Sequence, residues 1–340
     1  MAATLQTSII QASGSTTPNL TLDTAGNATV GGMVVPASSF KRNRIINGDM
    51  RVWQRGTSTT TTTSAYLTAD RWASWIQAGS GTISQETSVV PSGFQYGLKF
   101  TSSGASSNGN FYQTIETLNC VDMAGQNAIA SIYLAGTAGR TVSINFGYST
   151  TTDAAFTSGF TSIASSTVTL TTTPTRYFIT GAIPSNAKTL QMWIIGGAMN
   201  STEYYTITGV QLEVGSVATP YERQIYSDQL AQCQRYYWQI NSDGTYAGIA
   251  SGQMNGATIA RFTLRYPQPM RAAPTVSFTN IGNLIVNQGG ADLTPSALTS
   301  YTNTTNLLFD LTTGTGVIGR GSTVIFNQSA SSSMQASAEL

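Results

Sequence analysis

Between residues 45 and 215 apolar and polar positions alternate in short runs, the period of a pleated strand with one face buried. Strands are predicted over residues 97–101, 111–115, 128–134, 141–148, 166–170, 176–181, 190–195 and 204–214. Turn clusters such as Ser107-Asn108-Gly109-Asn110 and residues 135–139 separate them, and eight or nine strands over this length suit a jelly roll. The period then changes. Residues 221–237, YERQIYSDQLAQCQRYY, hold no Gly or Pro and follow Pro220, which predicts a helix. Its stripe of Ile225, Gln229, Cys233 and Tyr237 is narrow, as in a helix lying across another surface. Short strands return at 246–250, 258–265, 275–278, 283–286, 307–311 and 322–327, while Pro267, Pro269 and Pro274 mark loops or edges. Ahead of all this, Asn19-Leu20-Thr21-Leu22-Asp23 and Ala28-Thr29-Val30 give two or three very short strands, too little core to fold alone. The expected chain is all-β: an N-terminal anchor or shaft segment (1–44), a jelly-roll sandwich (45–219), one connecting helix (220–238) and a smaller C-terminal β-sandwich (239–340). Lys41-Arg42-Asn43-Arg44 reads as a solvated linker at the first boundary.

Composition sharpens this. Charged residues make up 9% of the chain, against about a quarter in ordinary domains. Thr, Ser, Asn, Gln and Gly replace them, which suits strands and turns, and weak mutual repulsion favours association of identical copies. A net charge of +1 gives no reason for a nucleic-acid partner. The absence of His removes the commonest general base and any Ser-His-Asp triad. Cys120 and Cys233 fit one disulfide or, better, two buried thiols. No apolar run reaches the roughly 18 residues of a membrane-spanning helix, and the N-terminus lacks the pattern of a signal peptide. Thr59 to Thr63 and Gly314-Thr315-Gly316 read as low-complexity loops.

Three stretches are distinctive: NRIINGDMRVWQRGT (43–57) followed by LTADRW (67–72); VQLEVGSVATPYER (210–223) leading to CQRYY (233–237); and residues 334–340, closing on Ala338-Glu339-Leu340. Together they resemble a family of phage tail-fibre and virion appendage proteins whose core is similar to a carbohydrate-binding jelly roll. Arg265-Tyr266-Pro267 and Met270-Arg271-Ala272-Ala273-Pro274 resemble the family's C-terminal segment. The residues also have a structural account. Asn47-Gly48-Asp49 reads as a turn in which Gly48 takes positive φ and the Asn and Asp side chains accept from nearby backbone N–H groups. Trp53 and Trp72 are expected to plug the core, with Arg55, Asp70 and Arg71 pairing around them; the alternative role for the tryptophans is a platform for sugar. Related carbohydrate-binding jelly rolls often hold a structural calcium through an Ile-Asp-Asp stretch in the last strand. Here Ile207-Thr208-Gly209 stands in that place and leaves Asp49 alone, so neither metal nor cofactor is expected.

The resemblance implies a homotrimeric tail fibre of the virion, made in the host cytoplasm, with residues 1–44 docked on other tail or capsid proteins and the distal domain on a host-surface glycan. Tyr246, Tyr301 and Arg320 are the candidate glycan contacts there. Alternatives are a virion protein without a receptor (head fibre, capsid decoration or tail spacer) and a free carbohydrate-binding module. No enzyme is expected. A glycan hydrolase needs two carboxylates about 5–9 Å apart. The available pairs, Asp70 with Glu86, Glu203 with Glu213 and Asp292 with Asp310, sit in no recognisable motif. No repeat with a period of about 20–50 residues is present either.

Overall fold

The computed structural model describes residues 41–242, 248–327 and 332–340, and ahead of them the strands Ile9–Ile10, Leu20–Leu22, Ala28–Val30 and Met33–Val35. Those four strands pair in sequence order as an antiparallel meander. The rest of the expected N-terminal anchor ahead of Lys41, Asn19 and Asp23 included, lies outside the described residues.

The jelly roll consists of two six-stranded antiparallel sheets among the described residues. One runs in the order Thr161–Thr169, Thr141–Ser149, Thr189–Ile195, Asn108–Ile115, Ala73–Ala78 and Ala65–Tyr66. The other runs Thr175–Ala182, Asn127–Gly136, Tyr204–Val214, Gly97–Ser102, Gly81–Glu86 and Ser58–Thr61. Alternation sends Ile144, Phe146, Met192, Ile194 and Phe111 of the first sheet inward against Phe100, Tyr205, Ile207 and Leu212 of the second, all buried. Tyr205 keeps its phenol satisfied in this core by donating to the Gly109 carbonyl at 2.9 Å.

The C-terminal domain stacks a seven-stranded sheet on a three-stranded one. The larger has the order Ala291–Leu293, Leu284–Gln288, Gly321–Phe326, Gly248–Gly256, Ile259–Arg265, Asn306–Thr312 and Ala297–Thr302. The smaller has Ser333–Ser337 between Tyr237–Asn241 and Thr275–Thr279. Phe262, Phe309, Leu311 and Val324 meet Trp238, Val276, Met334 and Ala336 in its core. Cys120 and Cys233 are both buried and unbridged, and burial pushes the Cys120 thiol up to about 12.

Several local expectations are corrected. The helix spans Tyr226–Gln234 rather than 221–237. Residues ahead of it are held extended along the jelly roll: Glu222 N donates to Gln211 Oε1 (2.8 Å), Glu222 Oε2 accepts from Asn43 N (2.8 Å), and Gln224 O accepts from Arg51 (3.2 Å). Tyr237 opens a strand instead of closing the helix. Gln229 and Cys233 are buried as the stripe predicts, but Ile225 is 67% exposed. The polar run at Thr59 forms the edge strand Ser58–Thr61, because pairing to Gly81–Glu86 needs only backbone groups. Lys41 to Arg44 is no solvated linker. Asn43 is buried, its Nδ2 donates to Val210 O (3.0 Å), and Arg44 N donates to Leu212 O (2.9 Å). In the Asn47-Gly48-Asp49 turn, Asn47 takes the positive φ (56°). Gly48 is there for close approach, since a Cβ on it would lie 2.2 Å from the Val210 carbonyl oxygen. Asp49 accepts from the Gln229 side chain (2.8 Å), tying the turn to the helix rather than capping it locally.

The two domains are joined by more than the helix. Glu339, one residue from the chain's end, enters the jelly roll and binds both Arg55 (3.0 Å) and Arg71. Arg55 also reaches Asp70 at 3.2 Å. Each guanidinium lies 3.5 Å from the centre of a tyrosine ring that follows the helix, Arg55 over Tyr237 and Arg71 over Tyr236. Arg71 donates a further bond to Thr114 O (2.7 Å), and Tyr66 donates to Leu340 O (3.0 Å). From the other side Arg271 donates to the carbonyls of Ala338 (2.9 Å) and Glu339 (3.2 Å).

Sharing Arg55 with Glu339 leaves Asp70 short of positive charge. Burial raises its carboxyl from an ordinary 3.8 to about 6, against the pull of Arg55 and the bond from Gln54. The folded value lies above the unfolded one, so the stability linked to Asp70 is complete below about pH 4 and is lost as pH rises through about 6. A rise from 3.8 to about 6 corresponds to about 3 kcal/mol at most. Denaturant unfolding between pH 4 and pH 7 is therefore expected to show a decline in the native chain that is missing in Asp70→Asn; parallel profiles would disprove it.

Candidate binding face

Every inward residue of the first jelly-roll sheet implies an outward one beside it. Register places these outward residues in transverse rows. The middle row reads Ser165, Asn145, Trp193, Tyr112 and Ala73 across five strands. The row on one side reads Thr167, Ser143, Ile195, Asn110 and Trp75, and the row on the other Ser162, Gly147, Gln191 and Thr114. Three aromatic side chains thus stand on the face away from the core, on three adjacent strands, a strip about 10 Å wide. All three are partly exposed. The Trp75 and Tyr112 rings are 5.9 Å apart and tilted by 43°. Phe156, from the loop beyond Thr141–Ser149, meets Trp75 edge-on at 6.4 Å and borders the strip.

Local sequence explains how these rings are held. A Cβ at position 147 would come within 2.7 Å of the Trp193 ring, so Gly147 is what lets the indole lie down on the neighbouring strand. Asn110 is fixed by donating to Trp75 O (3.3 Å) and accepting from Gly196 N (3.1 Å). Gln191 donates to Thr114 Oγ1 and Phe156 O, both at 3.0 Å. Asn145 differs: its side-chain nitrogen has no partner. Burial raises the Tyr112 hydroxyl above its ordinary 10, so it stays a neutral phenol. The outer face of the second sheet is partly covered by its own chain, where Gln211, Glu213 and Thr219 form a buried hydrogen-bonded group.

Rings that expose a flat apolar face among amides and hydroxyls can stack on a sugar ring and bond its hydroxyls. The three rows contain no carboxylate. The carboxylates considered as catalytic pairs each have a separate partner: Asp70 binds Arg55, Glu86 binds Lys99 (3.0 Å), and Glu203 binds Arg140 (3.3 Å). Likewise Glu213 binds Thr219, Asp292 binds Asn287 (2.7 Å), and Asp310 binds Arg261 (2.7 Å).

The sequence-based candidates lie elsewhere and apart. Tyr246 is outside the described residues. Tyr301 is 51% exposed on the edge strand Ala297–Thr302, with Arg261 at 5.9 Å from its ring. Arg320 precedes Gly321–Phe326 and donates to Gly289 O at 3.2 Å. Three strands separate those two positions in the sheet, on the order of 19 Å, so they do not form one site. Of the tryptophans weighed as core or platform, Trp72 is buried and donates to Asn47 O (3.0 Å), while Trp53 packs half-buried against the core. Sequence reasoning passed over Trp75, Tyr112, Trp193 and Asn145. The available signal was alternation itself: Trp193 stands between inward Met192 and Ile194, and Tyr112 follows inward Phe111, so each is a large ring at a position that faces out.

No protein-family model matches the chain, and no curated protein matches it. Among solved structures it is similar to the enzymatically active domain of tailspike protein 4 of bacteriophage CBA120, with a TM-score of 0.36, 12% identity and 51% of this chain covered. The overlap spans 21% of the tailspike domain, about a fifth of its length. It is also similar to the carbohydrate-binding module TmCBM61 in complex with β-1,4-galactotriose (TM-score 0.33, 11% identity, 51% of this chain and 99% of that one). A third is the xylanase 10B fragment of Clostridium thermocellum complexed with xylohexaose (TM-score 0.32, 13% identity, 49% of this chain and 30% of that one).

Proposed function

We propose that the chain is a structural, non-catalytic component of a bacteriophage virion, a homotrimeric tail fibre or related appendage that binds a host-surface glycan. The observation that carries the binding role is the strip of Trp75, Tyr112 and Trp193 on the non-core face of the jelly roll. This reading puts the glycan contacts on the jelly roll, in addition to the C-terminal candidates Tyr301 and Arg320 that the sequence suggested. The virion assignment rests on the resemblance of the three motif stretches. The non-catalytic reading is supported by the separate partners of the six carboxylates weighed as catalytic pairs and by the absence of His. Trimerisation is supported by the low charge and by an N-terminal sheet whose strands are two or three residues long, too small to bury a core in one copy. In this assembly the N-terminal segment docks on the particle and copy number multiplies weak contacts.

Light scattering of the full chain is expected to return three times the chain mass; a monomer at micromolar concentration would refute the trimer. On a glycan array Trp193→Ala is expected to weaken binding at least tenfold, about 1.4 kcal/mol per copy, with an unchanged melting temperature. Absence of any glycan binding by the full chain would leave the receptor-free appendage as the better reading.

A further inference from the structure

We infer that the jelly-roll face takes an uncharged glycan and that Asn145 is its specificity-determining side chain, an inference that rests on the binding face proposed above. Across the three transverse rows there is no Asp, Glu, Lys or Arg. Charged groups around the sheet are already paired: Arg55 and Arg71 with Glu339 and Asp70, Asp153 with Arg271 at 3.4 Å, and Arg140, which bonds Gly196 O, with Glu203 at 3.3 Å. A carboxylate or sulfate on a sugar would lose water here and gain no cation. Neutral hydroxyls find what they need, rings to stack on and amides that donate and accept.

Among those amides Asn145 stands out. Asn110 and Gln191 are committed to the backbone and to Thr114. Asn145 is 6% exposed, sits directly across from Trp193, and its Nδ2 has no partner. Buried amides are normally satisfied, so a buried donor beside the central ring with no partner of its own is a position suited to an acceptor. Nitrogen and oxygen of an amide occupy nearly the same envelope, so a half turn of the side chain brings the donor to the surface without a change of shape.

The test uses the full chain on neutral hexose and N-acetylhexosamine polymers and, separately, on sialylated, uronic-acid and sulfated glycans. Neutral polymers are expected to bind, with acidic ones at least tenfold weaker. Asn145→Asp is expected to weaken neutral binding at least tenfold at pH 8 and to recover part of it at pH 5, where a protonated carboxyl can again donate. Equal or tighter binding of acidic glycans that Trp193→Ala abolishes, or Asn145→Asp binding like the native chain at both pH values, would overturn the inference and leave the face standing. Glycan binding that neither Trp193→Ala nor Tyr112→Ala alters would remove the face itself, and so would an absence of all binding. Tyr112→Ala serves as the decisive variant if Trp193→Ala lowers the melting temperature.

Discussion

Replacing Glu339 by glutamine is expected to destabilise the chain by about 3–5 kcal/mol, the cost of removing one partner from a buried ion pair. Its carboxylate lies between two guanidiniums, bound to Arg55 at 3.0 Å and to Arg71. Both are almost wholly buried, and both are covered by tyrosine rings at 3.5 Å. Without the carboxylate, two positive charges share Asp70 in a place that water does not reach. The Arg71 side chain would keep its bond to Thr114 O, its contact with the Tyr66 hydroxyl and its stacking on Tyr236, none of which carries a full negative charge. Since Ser333–Ser337 is the central strand of the three-stranded sheet and leads straight into Glu339, the damage spreads to the C-terminal domain. Denaturant midpoints measure the loss. A double-mutant cycle with Arg71→Met should return a coupling above about 1 kcal/mol, as expected for directly contacting groups. A loss under about 1 kcal/mol would mean that the pair is no better than a surface contact.

This junction also explains what the sequence could and could not reveal. The motif stretches lie at residues 43–57, 67–72, 210–223, 233–237 and 334–340, and contacts between them join Asn43 to Val210 and Glu339 to Arg55 and Arg71 under Tyr237 and Tyr236. Arg55 and Asp70 were legible as a pair because each stands two residues from a tryptophan expected at the core, Trp53 and Trp72. Glu339 was not, because its partner Arg71 is 268 residues away and no local pattern encodes that contact. The strand at Tyr204–Val214 was legible to the residue, and most jelly-roll strands to within a few residues, because period two and Gly-Asn-Ser turns are local signals. The helix start was misplaced because residues 221–225 have acceptable helical composition yet are held extended by Asn43, Arg51 and Gln211. The aromatic strip was not legible for a related reason. Exposed aromatics were sought in loops, whereas register on a sheet is what brings Trp75, Tyr112 and Trp193 side by side, and register is a property of paired strands.

The second large effect is expected at Asn47. Asn47→Ala should destabilise the jelly roll by about 3 kcal/mol or more and reduce soluble yield. Asn47 is buried at a φ of 56°, a left-handed conformation that asparagine tolerates better than alanine. Its side chain makes four bonds, accepting from Arg51 N (2.8 Å) and Val52 N (3.0 Å) and donating to Val52 O (2.9 Å) and Asp70 O (3.0 Å). Its own carbonyl accepts from Trp72 Nε1 at 3.0 Å. One amide therefore replaces a missing ladder and ties the NGDM turn to the ADRW segment. Alanine would leave several buried backbone groups unpaired, each costing about 1–3 kcal/mol. Asn47→Asp separates the two contributions: it keeps both acceptor bonds and the left-handed tolerance but loses both donors. It should therefore fall between the native chain and Asn47→Ala in a denaturant melt followed by tryptophan fluorescence. Gly48→Ala is an independent check on the same turn, since the new methyl would meet the Val210 carbonyl at 2.2 Å without removing any hydrogen bond. If Asn47→Ala melts within about 0.5 kcal/mol of the native chain, as a surface substitution would, the turn is not what organises this end of the sandwich.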